Sequence, residues 1–157
     1  MPLDYQTAFV ITEKPFDWWF AIAGLLGGVA GVVCITLGRR LHWRRWQVGY
    51  FFIGFAMLWF FAVSYPMYVH FRELRSAYTS GRYLTVVGPI EDFRPMPYQG
   101  HQDECFRVSR AEFCYSDYEA MPGFNSSASH GGPIRAGLPV RVAYIGNVIL
   151  RLDIARR

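Results

Sequence analysis

The sequence lacks the short motifs that identify common catalytic and phosphate-binding sites. It has no Gly-x-Ser-x-Gly nucleophile elbow, which argues against a serine hydrolase of that type. It also has no His-x-x-x-His and no paired Cys-x-x-Cys, the spacings that make a metal site specific. The Gly-Gly-Pro segment at 131–133 lacks the lysine and helix that follow a phosphate-binding loop. These absences predict a protein that is not an enzyme and that holds no cofactor and no metal.

Charged side chains are absent from two long stretches, residues 18–38 and 48–69. Neither contains Asp, Glu, Lys, Arg or His, and each has the ~20 apolar residues that a helix needs to cross a bilayer. The loop between them, residues 39–47, is too short to hold a domain, so the two helices are expected to run antiparallel. The predicted organisation is an N-terminal segment at 1–17, a transmembrane helical hairpin at 18–71 and a β domain at 82–154.

The basic residues predict how this hairpin is oriented. Lysine is nearly absent, since 15 of the 16 basic residues are arginine. No basic n-region precedes the first apolar stretch, which favours an uncleaved anchor over a signal peptide. The positive-inside rule predicts a cytoplasmic loop because the short loop contains Arg39, Arg40, Arg44 and Arg45. The other helix ends carry an equal number of basic residues, at lower density. We therefore predict an inner (plasma) membrane protein whose termini and β domain are extracytoplasmic, in a periplasm if the cell has one.

The first apolar stretch is rich in glycine at four-residue spacing. Lipid gives no hydrophobic drive for helix pairing, so close backbone approach and dispersion must supply it. Small residues permit that approach, and the helix-packing residues predicted here are Gly24, Gly27, Gly28 and Gly31. The glycines are expected to pack inside the hairpin. The alternative is that they also dock the hairpin on a second copy or on a larger membrane complex.

The β domain is predicted from short β-branched and aromatic segments separated by turn residues. Five strands with a long connection at 116–139 favour a small OB-like barrel, because closure of a sheet removes its edges. An SH3-like barrel or a small sandwich is the alternative. Phe124 is the expected internal anchor of the long connection. The segment 8–12 (Ala-Phe-Val-Ile-Thr) also has strand-like composition and is placed at an edge of this domain.

Residues 104–115 are predicted to form a β-hairpin that turns at Ser109-Arg110. This register pairs two thiols, two aromatic rings and two opposite charges across the strands. Directly opposed cysteines lie within reach of a disulfide, so Cys105–Cys114 is predicted in an oxidising compartment. Cys34 is expected to stay reduced inside the membrane.

The β domain also carries a string of short motifs. They are Gly-Pro-Ile-Glu-Asp-Phe at 88–93, Glu-x-Phe-x-Val at 104–108, Phe-x-Tyr-Ser-Asp-Tyr at 113–118, Gly-Phe-Asn at 123–125 and Gly-Gly-Pro-Ile at 131–134. The string resembles, over residues 82–154, a family of uncharacterised bacterial membrane-anchored proteins with a small OB-like β domain. The resemblance implies a recurring β domain and no established activity. Helices attached to such a barrel are also similar in general plan to NfeD-type membrane proteins.

Two loops, 94–103 and 116–139, are the candidate binding surface. Aromatic and arginine side chains are enriched at contact hot spots, and the predicted binding rim consists of Arg94, Tyr98, His101, Tyr118, His130 and Arg135. We predict a membrane-anchored binding or accessory module whose loops meet a protein or envelope ligand. The partners predicted are the membrane and a protein partner or homo-oligomer, with no nucleic acid. One alternative is a small metal-dependent or hydrolytic enzyme using His101, Asp103, Asp117 and His130; another is a subunit of an oligomeric channel.

Overall fold

The structure, a computed structural model, describes residues 4–100, 102–120 and 122–156. The chain divides into two compact units. One is formed by Phe16–Phe71, and the other combines Met1–Pro15 with Arg72–Arg157. We describe each unit by itself, beginning with the helical one.

The helical unit contains two helices that are long and apolar enough to span a membrane, as predicted. The first is α1, Trp19–Arg40. The second begins as α2, Val48–Trp59, and continues through a π-helical turn into α3, Tyr65–Thr79. Only 11% of the residues in the most apolar 18-residue stretch of each helix are buried. The core helix of a soluble protein has the opposite property, since it is mostly buried.

The π-helical turn, Phe60–Ser64, has a cause in the sequence. Pro66 lies two residues beyond it. A proline inside a helix donates no backbone hydrogen bond, and its ring crowds the carbonyl four residues earlier, here that of Ala62. A local change to the wider π-helical hydrogen bonding moves that carbonyl away from the ring. The helix therefore continues past the proline without a break.

The loop after α1 begins with a helix-terminating motif. The amide of Trp43 donates to the carbonyl of Gly38 (2.8 Å), and the amide of His42 donates to that of Arg39 (3.4 Å). This is the Schellman pattern, in which the residue after the C-cap adopts a left-handed backbone and is usually glycine. Here that residue is His42, with φ = 54°. A histidine side chain is therefore retained at a position where the backbone favours glycine.

The hairpin interior is built on glycines of α1. A Cβ added to Gly31 would lie 2.7 Å from the carbonyl oxygen of Gly49, and one added to Gly24 would lie 2.8 Å from Cδ1 of Trp59. A Cβ at Gly28 would make an ordinary contact of 3.5 Å, whereas one at Gly27 would meet nothing within 4 Å. The close approach of the two helices therefore depends on Gly24 and Gly31, and Gly27 faces away from the hairpin interior.

We expect Gly31→Ala to destabilise the hairpin by about 1–3 kcal/mol, because the added methyl group meets the backbone of Gly49 as well as the side chain of Ile53. Gly27→Ala is the matched control and should leave stability unchanged or raise it slightly through helix propensity. All five tryptophans lie in the helical unit, so tryptophan fluorescence during an SDS titration in detergent reports on this unit. Equal unfolding midpoints for the two variants would contradict the packing described here.

The β unit is one antiparallel sheet of six strands. Its strand order is β1-β6-β5-β2-β3-β4. The strands are β1 Tyr5–Val10, β2 Leu84–Arg94, β3 Glu104–Val108, β4 Ala111–Tyr115, β5 Pro139–Ile145 and β6 Val148–Ala155. The buried core cluster contains Ile90, Phe106, Val108, Phe113, Tyr115, Phe124, Ile134, Val140, Val142, Ile149 and Leu152.

The prediction was a five-stranded barrel, closed or half-open; the sheet has six strands and is not closed into a barrel. The extra strand is β1, which precedes the helices in sequence and pairs with β6. The expectation of an edge strand near residues 8–12 was correct in kind, although the strand begins earlier, at Tyr5. Because β1 pairs with β6, the backbone hydrogen-bonding groups at that edge of β6 have a partner. In a closed barrel, another strand of the same sheet would have to supply that partner. The sheet therefore ends at β1 and β4, and a relation to OB-like or SH3-like barrels stays a prediction.

Each end of the sheet is secured by side chains. At the β1 end, the buried carboxylate of Asp153 accepts hydrogen bonds of 2.8 Å from Thr7 Oγ1 and from Arg151 Nε. At the β4 end, the carboxamide of Asn147 accepts from the amide of Cys114 (3.2 Å) and donates to its carbonyl (3.0 Å). The amide side chain thus takes the place of one residue of a neighbouring strand and covers the β4 edge at Cys114.

Strand β2 serves both halves of the sheet. Its first part, Leu84 to Pro89, pairs with β5, and its second part, from Ile90, pairs with β3. The change of partner occurs between Pro89 and Ile90. A bulge follows, with the left-handed residue Asp92 at φ = 48°. The bulge turns the strand, so one long strand contributes to both groups of paired strands.

The β3–β4 hairpin has the predicted register. Cys105 lies opposite Cys114, Phe106 opposite Phe113, and Arg107 opposite Glu112. Val108 lies opposite Ala111. The Cys105–Cys114 disulfide is confirmed, with the two Cα atoms 4.2 Å apart. Cys34 is a free thiol.

Candidate functional site

The two loops that were predicted to form the binding surface are attached to one buried side chain, Glu104. Its carboxylate is fully buried and accepts a hydrogen bond from the hydroxyl of Tyr115. It also accepts from the amide of Ala128, at 2.9 and 3.1 Å, and from the amide of Met96, at 3.4 Å. Met96 belongs to the loop after β2, and Ala128 to the loop after β4. Glu104 therefore fixes both loops to the same point of the sheet.

The position of Glu104 follows from the alternation of β3. Glu104, Phe106 and Val108 are the buried residues of this strand, and the two residues between them are more exposed. A carboxylate at the inward end of such a strand must find donors, because an unpaired polar group in a protein interior is costly. Burial, together with the hydrogen bond and the charge of Glu104, raises the pKa of Tyr115 far above its usual value. Tyr115 therefore remains a hydrogen-bond donor to Glu104 at physiological pH.

A second carboxylate, Asp117, organises the loop after β4. One of its oxygens accepts from the amide of Ser127 (2.6 Å), and the other accepts from the Ser127 hydroxyl. That second oxygen also lies 2.6 Å from Nδ1 of His130. Burial on its own would raise the pKa of Asp117, but the hydrogen bonds from Ser127 and His130 outweigh it and lower the pKa. Asp117 thus holds the short 3-10 helix Ala128–His130 in place.

Ser127, Asp117 and His130 lie together, but their arrangement is not that of a catalytic triad. A triad requires the imidazole to contact the carboxylate through one nitrogen and the serine through the other. Here both Asp117 and Ser127 approach the same nitrogen, Nδ1, at 2.6 and 3.2 Å. Ser127 is also fully buried. These three residues can fix the conformation of the loop, and they do not build an accessible nucleophile.

Three aromatic side chains lie together on the surface above these contacts. They are Tyr98, Tyr118 and His130, and we call them the rim patch. The His130 ring lies 5.2 Å from the ring of Tyr98 and 6.3 Å from that of Tyr118, measured between centroids. The two tyrosines are 71% and 55% exposed. Tyr98 comes from the loop after β2, whereas the other two come from the loop after β4. The rim patch therefore joins the two loops that Glu104 fixes from below.

The other predicted rim residues have different positions. Arg94 forms an exposed ion pair with Glu112, at 2.5 Å. Arg135 donates to the carbonyls of Gly132 (2.7 Å) and Ile134 (2.6 Å), so it braces its own loop. His101 lies outside the described residues. The structure thus brings together three of the predicted residues and shows two arginines occupied by local contacts.

The residues that were considered for a metal or hydrolytic site do not form one donor cluster in the described part of the chain. No group of three His, Cys, Asp or Glu side chains suited to a metal ion occurs among residues 4–100, 102–120 and 122–156. Asp117 and His130 are neighbours, and Asp103 is not placed with them by any contact. Since His101 is outside the described residues, the metal-dependent alternative stays a prediction without geometric support.

Sequence reasoning missed the two residues on which the site depends. Glu104 was placed in the hairpin register without a role, although the apolar residues Phe106 and Val108 at alternate positions already indicated that it points inward. The amide and the hydroxyl of Ser127 both bind Asp117, and no local sequence pattern indicates these contacts. Phe124 is buried, as predicted, and its ring packs on those of Phe9 and Tyr115.

The comparisons with known proteins add no relative. No family model matches the chain, and no curated protein and no solved structure is significantly similar to it. The resemblance to uncharacterised bacterial membrane-anchored proteins therefore stays a prediction, and the arguments that follow rest on the described residues.

Proposed function

We propose that this protein is a membrane-anchored binding or accessory module, whose β unit presents the rim patch to a protein partner outside the cytoplasm. The observation that carries the proposal is the rim patch itself. It places two strongly exposed tyrosines around His130, whose Nδ1 lies 2.6 Å from the carboxylate of Asp117. The hairpin supplies the anchor, and its own partner, either a second copy or a membrane complex, remains a prediction.

Insertion of the hairpin in a membrane is supported by its exposed apolar surface. Large apolar side chains protrude along both helices, for example Leu25 (67% exposed), Phe51 (70%) and Leu58 (65%). Soluble monomers seldom expose a continuous apolar surface of this kind. A 22-residue helix such as α1 is about 33 Å long, which matches the ~30 Å hydrocarbon core. Trp18, Trp19 and Tyr65 are exposed at one end of the hairpin, as expected for an interfacial aromatic belt.

The sheet also supports an even number of membrane crossings. Strand β1 precedes both helices, strand β6 follows them, and the two strands pair in one sheet. Both must then lie on the same side of a membrane that the two helices cross. The disulfide favours an oxidising compartment for this side. The four loop arginines favour the cytoplasm for the other. These observations support the proposal of a plasma-membrane anchor with an extracytoplasmic β unit.

The construction of the rim patch favours binding over a purely structural role. Ordering loop side chains is part of the free energy that association must overcome, so a surface that is already held rigidly binds more tightly. Glu104 and Asp117 fix the backbone below the patch, and the tyrosine rings above it remain exposed. Exposed tyrosines on a fixed backbone are frequent among the residues that dominate protein interfaces. A protein partner is therefore the ligand class that this surface fits best.

The proposal predicts that a photoreactive amino acid in place of Tyr98 will form a covalent adduct with a specific partner in intact cells. Tyr118→Ala in the same chain should reduce the adduct at least tenfold, as expected when a hot-spot tyrosine is truncated. Both positions are exposed, so the fold should tolerate the changes. The same photoreactive residue in place of Tyr83, which is 37% exposed and outside the rim patch, is the matched control. Equal adducts at the two positions, or an adduct that Tyr118→Ala leaves unchanged, would contradict the proposal.

A further inference from the structure

A groove lies at the arginine-rich end of the hairpin. It has a volume of about 560 Å³, which is within the range of small-molecule sites. One wall is the apolar face of α1 that contains Val33, Leu37 and Leu41. The other end is formed by loop residues, including Trp43 and Arg44. The groove is therefore apolar along its length and cationic at its mouth.

We propose that this groove binds an anionic phospholipid, with one acyl chain along Val33 to Leu41 and the phosphate on the guanidinium of Arg44. The inference rests on the proposed insertion of the hairpin in a membrane. It goes beyond that proposal because it assigns a specific ligand class to a specific groove. The occupant is drawn from the leaflet in which the loop lies.

Charge supports this occupant. Arg39 makes its contacts within the hairpin. Its guanidinium lies 4.4 Å from the ring centroid of Trp46 and donates to the hydroxyl of Tyr50 at 3.2 Å. Arg44 is exposed, and the described part of the chain gives it no carboxylate: residues 39–47 contain no Asp or Glu. A guanidinium with five donors and no neighbouring carboxylate in this loop is well matched to a phosphate. A second copy of the chain would bring its own arginines to the same place, which like-charge repulsion disfavours.

The length of the groove along the helix also supports a phospholipid as the occupant. The wall from Val33 to Leu41 covers eight helical steps, which is about 12 Å at 1.5 Å per residue. One leaflet of hydrocarbon is about 15 Å deep, so the groove spans most of one leaflet and its mouth reaches the headgroup level. Trp43 is 51% exposed at that level, where amphipathic rings collect. His42 also lines the mouth, which gives a use for a side chain at the left-handed position where glycine is the usual residue.

The test is native mass spectrometry of the full chain in a non-ionic detergent, titrated with dioleoylphosphatidylglycerol or with dioleoylphosphatidylcholine. The anionic lipid should bind the unaltered chain about tenfold more tightly than the zwitterionic one, as a charge-assisted contact predicts. Arg44→Gln should weaken binding of the anionic lipid about tenfold. Arg40→Gln removes the same charge from outside the groove and should weaken it less than threefold.

A second pair of variants tests the acyl part of the site. Val33→Phe narrows the groove and should weaken binding of either lipid at least fivefold, whereas Leu26→Phe, on an exposed face outside the groove, should not. Val33 is 45% and Leu26 is 62% exposed, so neither change disturbs the hairpin interior, and unchanged tryptophan fluorescence in the SDS titration verifies this.

Three results would overturn the proposal. These are equal losses for Arg44→Gln and Arg40→Gln, equal affinity for the two lipids, or a lipid-independent dimer that Val33→Phe dissociates. Membrane insertion is tested separately by alkaline carbonate extraction of membranes. Release of the chain into solution would show that the hairpin is not inserted. A chain that stays in the membrane pellet but fails the lipid titration refutes the groove proposal alone.

Discussion

Replacement of Glu104 by alanine should lower the free energy of unfolding of the β unit by about 3–5 kcal/mol, the largest effect expected for a single change in this chain. The variant removes the acceptor of the Tyr115 hydroxyl and of the Ala128 and Met96 amides. These donors are left in a protein interior, and each unpaired group costs about 1–3 kcal/mol. Both loops should also lose their attachment to the sheet, and the rim patch should become mobile.

Urea unfolding of the full chain in detergent, followed by pulse proteolysis, measures the change in stability. Glu112→Ala is the matched control, because it removes the same side chain from the partner strand of the same hairpin. Glu112 is 59% exposed in its ion pair with Arg94, and a surface pair of this kind contributes less than about 1 kcal/mol. Hydrogen exchange should show faster amide exchange at Met96 and Ala128 in the Glu104 variant alone. Similar stabilities for the two variants would refute the role given to Glu104.

Removal of the Cys105–Cys114 disulfide should lower the stability of the β unit by about 2–3 kcal/mol. The two cysteines are nine positions apart in sequence, and the chain-entropy treatment gives a value of this size for so short a loop. The double replacement Cys105→Ser with Cys114→Ser is the test, in the same urea experiment. Cys34→Ser is the control and should leave the β unit unchanged, because Cys34 belongs to the helical unit.

The same disulfide reports the orientation of the chain. In intact cells, a membrane-impermeant thiol reagent should label Cys105 and Cys114 only after treatment with an impermeant reductant. The reason is that the bond persists in an oxidising compartment. Labelling that requires cell lysis but no reductant would place the β unit in the cytoplasm, and the proposed extracytoplasmic partner would then be wrong.

The features that the sequence predicted well are those with a strong local pattern. Two uncharged apolar stretches of helical length leave few alternatives, so both helices were predicted within a few residues of their bounds, although the second continues to Thr79. The β3–β4 register was correct because charge, aromatic and thiol pairs all agree on it. A register error of one residue would have broken all of these pairs together.

The features that were missed depend on contacts between distant parts of the chain. The composition of residues 8–12 indicated an edge strand, but no local pattern gives its start at Tyr5 or its partner β6. Without that pairing, a five-stranded barrel was the natural way to satisfy the sheet edges. The role of Glu104 was hard to predict for the same reason, because its donors Met96 and Ala128 lie in loops without a periodic pattern. The rim patch was predicted as a set of residue types. Its geometry follows only when the two carboxylates fix the loops.

The pairing of β1 with β6 also sets the order in which the protein can be completed in a cell. Thr7 and its partner Asp153 are 146 positions apart. At a translation rate of about 5–20 residues per second, β1 leaves the ribosome roughly 7–30 s before the strand it pairs with. Its backbone groups and Phe9 therefore lack this partner strand while the hairpin and the other strands are being made. A chain stalled before β6 would present β1 as an open edge, which can pair with another chain and start aggregation.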